Sequence, residues 1–133
     1  MATRHQVRQA VISLLYARDM GSNKDEFIIE FLEEHKIRNN QKDFTTALFN
    51  GVVENLINLD EKLNVHLDEY KVHELGIVER AILRLGAYEI LYTKTDKAVI
   101  INEGIELGKE MASDTSPKFI NAVLDAVGKD KIK

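Results

Sequence analysis

Basic and aromatic side chains near two predicted helix starts could bind a nucleotide. Arg4 and Arg8 lie one helical turn apart near the start of the chain, and Lys118 and Phe119 follow Ser116 near its end. Cationic side chains pair with phosphates, an aromatic ring stacks on a base, and the free N–H groups of a helix start bind phosphate oxygens. These residues predict a phosphate- and base-binding surface on the first and last helices.

Apolar residues outside the main helix stripes are candidates for a second binding surface. The stripe of the first helix is centred near Ala10 and Leu14, and it leaves Ile12 and Tyr16 to one side. Two interpretations remain open, because these residues could pack against another part of the fold or contact a partner protein. The same holds for Phe119, which is either a stacking residue or an ordinary residue at the edge of the core.

The residue pattern offers little that would support catalysis or metal binding. The chain has no cysteine, no phosphate-cradling glycine loop and no nucleophile elbow. Neighbouring acids such as Asp60 and Glu61 point roughly 100° apart on a helix, so they do not form an acid–base pair. We therefore predict a binding protein without cofactor, metal or catalytic residues. The scattered histidines are predicted to be solvated surface residues: His5, His35, His66 and His73.

Charge is distributed unevenly along a chain whose formal net charge is −4. Residues 1–18 include three arginines and one histidine but no acid, whereas residues 25–34 include five acids and no base. A local basic patch can bind phosphates even when the total charge is negative. Neither a secretory signal nor an apolar run of about 20 residues is found, so we expect a cytoplasmic protein that does not enter a membrane.

Helical periodicity predicts an all-α fold of six helices. The first begins at the capping pair Thr3 and Gln6, and the second at the pair Asn23 and Glu26. Gly21 is expected to end the first helix. The predicted helices are Thr3 to Gly21, Asn23 to Glu34, Gln41 to Leu63 or Leu67, Ile77 to Tyr92, Ala98 to Ala112, and Ser116 to Gly128.

The fourth predicted helix is apolar on every side, which is typical of a buried central helix. Its charges must reach solvent or find partners, because an unpaired buried charge is costly. In the next helix, Gly104 and Gly108 predict the close approach of a neighbour. A weak boundary at residues 70–76 favours a single domain of two small three-helix bundles packed across a shared seam, about 1–72 and 73–133. The charges of the fourth helix are Glu79, Arg80, Arg84 and Glu89.

Three runs of sequence resemble the NusB family of bacterial transcription antitermination factors. VERAILRLGAYEI at 78–90 is similar to the family's central helix, and AVIINEGIELGK at 98–109 and SPKFINAVLD at 116–125 are similar to its last two helices. The helix from Arg4 through Leu14-Leu15-Tyr16 resembles its arginine-bearing first helix. The likeness covers nearly the whole chain, and it is weakest at residues 21–42.

The resemblance implies two perpendicular three-helix bundles that bind boxA RNA together with NusE, which is also a small-subunit ribosomal protein. Such a pair nucleates an antitermination complex on RNA polymerase, notably on ribosomal RNA operons. By position, the residues implied to face RNA are Arg4, Arg8, Lys118 and Phe119, with Ser116 capping their helix. The residues implied to face NusE are Tyr16 and Glu79, and we group Ile12 and Arg84 with them.

Two other interpretations are weighed against this one. A homodimer could use Ile12 and Tyr16 to hide the basic face. Alternatively, the chain could be an accessory RNA-binding module related to the N-terminal domain of ribosomal RNA cytosine methyltransferases. Those enzymes continue into a long catalytic domain, whereas this sequence ends at Lys133. The expectation is therefore a free-standing adaptor.

Overall fold

The computed structural model describes residues 2–22, 24–113 and 116–132, and within them every regular element is a helix. This confirms the all-α prediction. None of the described helices is long and apolar enough to span a membrane. The elements are α1 (Arg4–Asp19), α2 (Asp25–Glu34), α3 (Asn40–Glu54), α4 (Leu56–Asn64), a 3-10 turn (Val72–Glu74), α5 (Ile77–Tyr92), α6 (Lys97–Met111) and α7 (Ser116–Ile132).

Both ends of α1 are fixed by the residues that the sequence indicates. Thr3 Oγ1 accepts a hydrogen bond from the Gln6 backbone N–H at 3.1 Å, and Gln6 Oε1 accepts one from the Thr3 N–H at 2.9 Å. Gly21 has a φ of +99°, the left-handed conformation that glycine adopts most easily. The Asn23 cap predicted for the second helix lies outside the described residues.

The prediction of one long third helix is wrong, because the chain breaks at Asn55. α3 ends at Glu54 and α4 begins at Leu56. The Asn55 side chain donates a hydrogen bond to the Gly51 carbonyl oxygen at 2.8 Å, and such local bonds compete with the helical backbone. The apolar stripe gave no sign of the break, since Leu59 beyond it is as fully buried as the core residues before it.

Helix α5 spans the predicted residues and is the buried centre of the fold. Residues 81–87 are all buried, and the helix packs against α1, α3, α4, α6 and α7. It therefore connects the N-terminal and C-terminal helices. The division into sub-bundles at about residue 72 stays a prediction.

Glycines allow α7 to lie close against α5 and α6, as the glycine pair of α6 predicts. A Cβ added at Gly104 would lie 3.1 Å from Ile120 Cγ2, and one at Gly108 would lie 2.8 Å from Ile120 Cδ1. On α5, a Cβ at Gly86 would lie 2.7 Å from Leu124 Cδ1. These distances are shorter than ordinary carbon–carbon contacts.

The predicted end of the last helix at Gly128 is wrong, because α7 continues to Ile132. Residues near its end are held by the rest of the fold. Lys131 Nζ donates a hydrogen bond to the Ile90 carbonyl oxygen at 2.5 Å, and Asp130 pairs with His66. Gly128 itself is buried beside the aliphatic stem of Lys97.

The Gly86→Ala substitution should destabilise the protein by about 1–2 kcal/mol. Overpacking a core typically costs about 1–3 kcal/mol, and Leu124 has no exposed surface toward which it could move. The control is Gly128→Ala, where the neighbour is the flexible Lys97 stem and alanine gains up to roughly 1 kcal/mol in helix propensity. Urea unfolding followed by circular dichroism measures both. Equal stability of the two variants would contradict the packing argument.

Candidate nucleic-acid interface

A buried ion pair joins the first helix to the central one. Arg8 Nε donates to Glu89 Oε2 at 2.9 Å, and Arg8 Nη2 donates to Glu89 Oε1 at 2.8 Å. The two residues are 3% and 1% exposed. These hydrogen bonds raise the pKa of Arg8, so the guanidinium stays charged inside the protein. Arg8 is therefore engaged with the central helix rather than presented to solvent.

Arg4, one turn earlier on α1, is presented at the surface. Its guanidinium carbon lies 4.5 Å from the centre of the Phe44 ring of α3, a cation–π contact. Arg4 is exposed, and no carboxylate of the described chain forms an ion pair with it. Its charge is thus oriented by the ring but remains available to a phosphate.

His5 connects the start of α1 to the end of α6. Its Nδ1 lies 2.6 Å from Glu103 Oε2, and its Nε2 lies 2.7 Å from Glu110 Oε1. Gln9 Nε2 also donates to Glu110, at 2.5 Å. The pKa of His5 is raised, chiefly by its hydrogen bond to Glu103. Partial burial lowers this pKa, and the hydrogen bond to Glu110 raises it further. The imidazolium form can donate to both carboxylates at once.

The start of α7 follows the end of α6 and contacts the start of α5. Glu110 is near the end of α6, and the Ser116 N–H donates to the Ser113 carbonyl oxygen at 3.1 Å. Ser116 has no exposed surface, and its Oγ donates to Glu79 Oε2 at 2.5 Å. Lys118 is exposed and has no ion-pair partner within residues 2–22, 24–113 and 116–132. The first turn of α7 thus presents Lys118 at the surface.

A second surface surrounds the end of α1. Tyr16 is 42% exposed there. One turn further on, Asp19 accepts a hydrogen bond from Arg80 Nε at 3.0 Å, and Arg84 forms a two-point contact with Asp60 at 2.9 and 2.8 Å. The network holds α1 and α4 against α5 and leaves the Tyr16 ring exposed.

The sequence matches known proteins over nearly its full length. The model of the NusB family matches residues 5–129. The chain is 61% identical to the transcription antitermination protein NusB of Campylobacter hominis, over 98% of this chain and 100% of that protein. The chain belongs to the NusB family. It is also 61% identical to the protein of the same name from Campylobacter jejuni, over 98% of this chain and 99% of that one.

Solved NusB structures have the same fold as this chain. T. maritima NusB superposes with a TM-score of 0.86 at 29% identity, covering 97% of this chain and 92% of the other. A structure described as antitermination factors NusB and NusE in complex with dsRNA gives a TM-score of 0.86 at 28% identity, covering 96% of both chains. The NusB fold implied by the resemblance is thereby confirmed.

Within this NusB-family chain, the predicted RNA-facing residues divide into accessible and buried ones. Arg4 and Lys118 are exposed, and Phe119 is half-buried and packs against the core. The placement of Arg8 on the surface is wrong, because Glu89 holds it inside. Ser116 is likewise buried, so its hydroxyl positions the start of α7 instead of facing a ligand.

The predicted partner-facing residues divide in the same way. Tyr16 is exposed, and Glu79 is half-buried with its carboxylate bound to Ser116. The placement of Ile12 outside the core is wrong, since it has no exposed surface and packs in the main apolar cluster. Arg84 is 8% exposed and ion-paired to Asp60, so it holds α4 against α5 rather than facing a partner.

Two histidines have structural roles that the sequence analysis missed. His5 and His66 were expected to be solvated, yet each pairs with carboxylates far away in sequence. Nothing local in the sequence indicates these partners. The buried role of Arg8 did have a signal, because Glu89 is an acid in an otherwise apolar helix and needed a cationic partner.

Arg8→Ala should destabilise the protein by about 3–5 kcal/mol, because it leaves the buried Glu89 carboxylate unpaired. The paired change Arg8→Met with Glu89→Met should cost much less, since it removes both charges and fills the space. Urea unfolding of the three proteins tests this. A loss below 1 kcal/mol for Arg8→Ala, or a double variant as unstable as the single one, would contradict the role of the pair.

The contribution of His5 to stability should decrease at alkaline pH. Its folded pKa is raised above the ordinary 6.5, so the stabilisation is fully present below about pH 6.5 and is lost as the pH rises through the folded pKa. The difference in the free energy of unfolding between the wild type and His5→Ala should therefore be larger at pH 6 than at pH 9. His35→Ala is the control, because it removes an exposed histidine that stacks on Phe31 and hydrogen-bonds to its carbonyl oxygen, with no carboxylate paired to it among the described residues. A difference independent of pH for His5→Ala would refute the assignment.

Proposed function

We propose that this NusB-family chain is a transcription antitermination factor that binds boxA RNA as a heterodimer with NusE. The observation that carries the proposal is the likeness, over 96% of both chains, to NusB in a structure with NusE and dsRNA. The 61% identity to proteins named for transcription antitermination supports the same assignment. The protein is a binding adaptor and not an enzyme, and it works in the cytoplasm as part of the antitermination complex on RNA polymerase.

The RNA-binding surface of the proposal consists of Arg4, Lys118 and the half-buried Phe119. Arginine and lysine contribute phosphate contacts that do not depend on sequence, and an aromatic ring can stack on a base. Only two cations are placed there now that Arg8 is buried. We therefore expect weak RNA binding by the isolated chain and substantial help from NusE.

The NusE-binding surface of the proposal is centred on the exposed Tyr16, with Glu79 beside it. Exposed tyrosines on a rigid helix make good interface anchors because they bury a large area with little loss of side-chain freedom. The Asp19, Arg80, Arg84 and Asp60 network keeps this surface in place. Binding of NusE and RNA is then linked, so each partner raises the affinity for the other by the same factor.

Fluorescence anisotropy with boxA RNA and a scrambled RNA, with and without NusE and at several salt concentrations, tests the proposal. The wild type with NusE should prefer boxA and bind it more tightly than either protein alone. Arg4→Ala should flatten the slope of log affinity against log salt by about 0.7, the value for one lost phosphate contact on a single strand. The absence of any boxA preference in the presence of NusE would overturn the proposal.

In the same experiment, Tyr16→Asp should abolish the enhancement by NusE and leave the weak RNA binding of the isolated chain unchanged. Tyr70→Asp is the matched control, because Tyr70 is 53% exposed and lies in the segment between α4 and α5 rather than on α1. Light scattering distinguishes the alternative of a homodimer. A wild-type dimer that Tyr16→Asp converts to a monomer, with no effect of NusE, would favour that alternative.

A further inference from the structure

The loop between α2 and α3, together with the first turn of α3, carries a second group of uncompensated positive charges. Lys36, Arg38 and Lys42 occur in residues 35–42, a stretch without any acid. All three are exposed, and none of them forms an ion pair within the part of the chain that the structure describes. The adjacent α2 is strongly acidic, so the sign of the surface charge changes between α2 and this basic segment.

The loop holds these cations in fixed positions. Lys36 and Asn39 have φ values of 56° and 55°, a left-handed conformation that residues other than glycine keep only where the surroundings impose it. Between them, Ile37 is 3% exposed and packs on Ala10 and Leu32, and its N–H donates to the Leu32 carbonyl oxygen at 2.9 Å. A buried anchor and a constrained backbone thus pre-organise the basic side chains.

A groove of about 530 Å³ separates this loop from the start of the chain. Gln41 Nε2 bridges the two sides by donating to the Ala2 carbonyl oxygen at 2.9 Å. The groove lining contains two cations and three side-chain amides but no acid: Ala2, Lys36, Arg38, Asn39, Asn40 and Gln41. Phosphodiesters suit the cations, and ribose hydroxyls or base edges suit the amides.

The groove is continuous with the cation already assigned to RNA. Ala2 lies two residues before Arg4, and Arg4 rests on Phe44 of the same helix, α3, that begins at the loop. On the far side of the loop, a separate depression is lined by Arg38 and Lys42 together with Glu33 and Asp43, so its acids offset its cations. The Ala2 side, which has two cations and no acid, is therefore the more favourable path for an RNA strand leaving Arg4.

We propose that the groove between Ala2 and residues 36–41 binds the sugar–phosphate backbone of the RNA strand beyond Arg4. The inference rests on the proposed function, since it extends the same RNA-binding surface. Lys36 and Arg38 each contact a phosphate, and the amides of Asn39, Asn40 and Gln41 contact sugar or base. The groove lengthens the bound RNA and supplies cations that replace the buried Arg8 in this role.

The test is RNA binding by the NusE heterodimer over a range of salt concentrations, using boxA RNA with its natural flanking nucleotides. The variant Lys36→Ala with Arg38→Ala should bind more weakly and flatten the salt slope by about 1.4, that is about 0.7 for each of two phosphate contacts. The control is Lys24→Ala with Lys62→Ala, which removes two exposed lysines elsewhere. The exchange Lys36→Arg with Arg38→Lys should retain the wild-type slope, since it keeps both charges.

The outcomes separate this inference from the proposed function. If the wild type binds boxA and the Lys36 and Arg38 double variant has the same slope as the control, the groove proposal is wrong and the function stands. If the wild-type heterodimer has no affinity for boxA, both fail. Circular dichroism melting confirms folding of the variants, and Lys36→Gln with Arg38→Gln provides a second neutral pair with longer side chains should the alanine variant melt early.

Discussion

The buried pair of Arg8 and Glu89 is the constraint on which the arrangement of the exposed residues of α1 depends. It fixes the face that α1 turns toward α5, so Ile12 enters the core while Arg4 and Tyr16 remain outside at opposite ends of the helix. A buried ion pair is not an efficient source of stability, but it tolerates few other orientations, because each charge must meet its partner. The positions of both proposed binding surfaces depend on this contact.

Several acidic side chains of α5 and α6 are engaged in hydrogen bonds within the protein. Glu103 and Glu110 would repel phosphates, but His5 lies between them and Gln9 adds a hydrogen bond to Glu110. Glu79, which the proposal assigns to the NusE-binding surface, likewise accepts a hydrogen bond from Ser116. Exposed cations such as Arg4 can bind phosphates locally even though the chain as a whole is acidic.

Local sequence patterns predicted most of the helices, but they did not predict contacts between residues far apart in the sequence. The capping box at Thr3, the extent of the central helix and the close packing at Gly104 all depend on residues near in sequence or on size alone. The break at Asn55 is accompanied by a single side-chain hydrogen bond to Gly51. The continuation of α7 past Gly128 is accompanied by contacts of Asp130 and Lys131 with residues far away in sequence. For the site, helix periodicity indicated the exposure of Tyr16, whereas it left the burial of Arg8 and Ile12 undetected because both lie at the margin of the apolar stripe.

The contact between His5 and Glu110 joins residues 105 positions apart. During synthesis, α1 leaves the ribosome long before α5 and α6 exist, so neither Arg8 nor His5 has its partner until most of the chain has emerged. Pairings this distant form late, because the intervening chain must first be ordered. The basic first helix is therefore exposed in the nascent chain, and the proposed RNA-binding surface is complete only once translation is nearly finished.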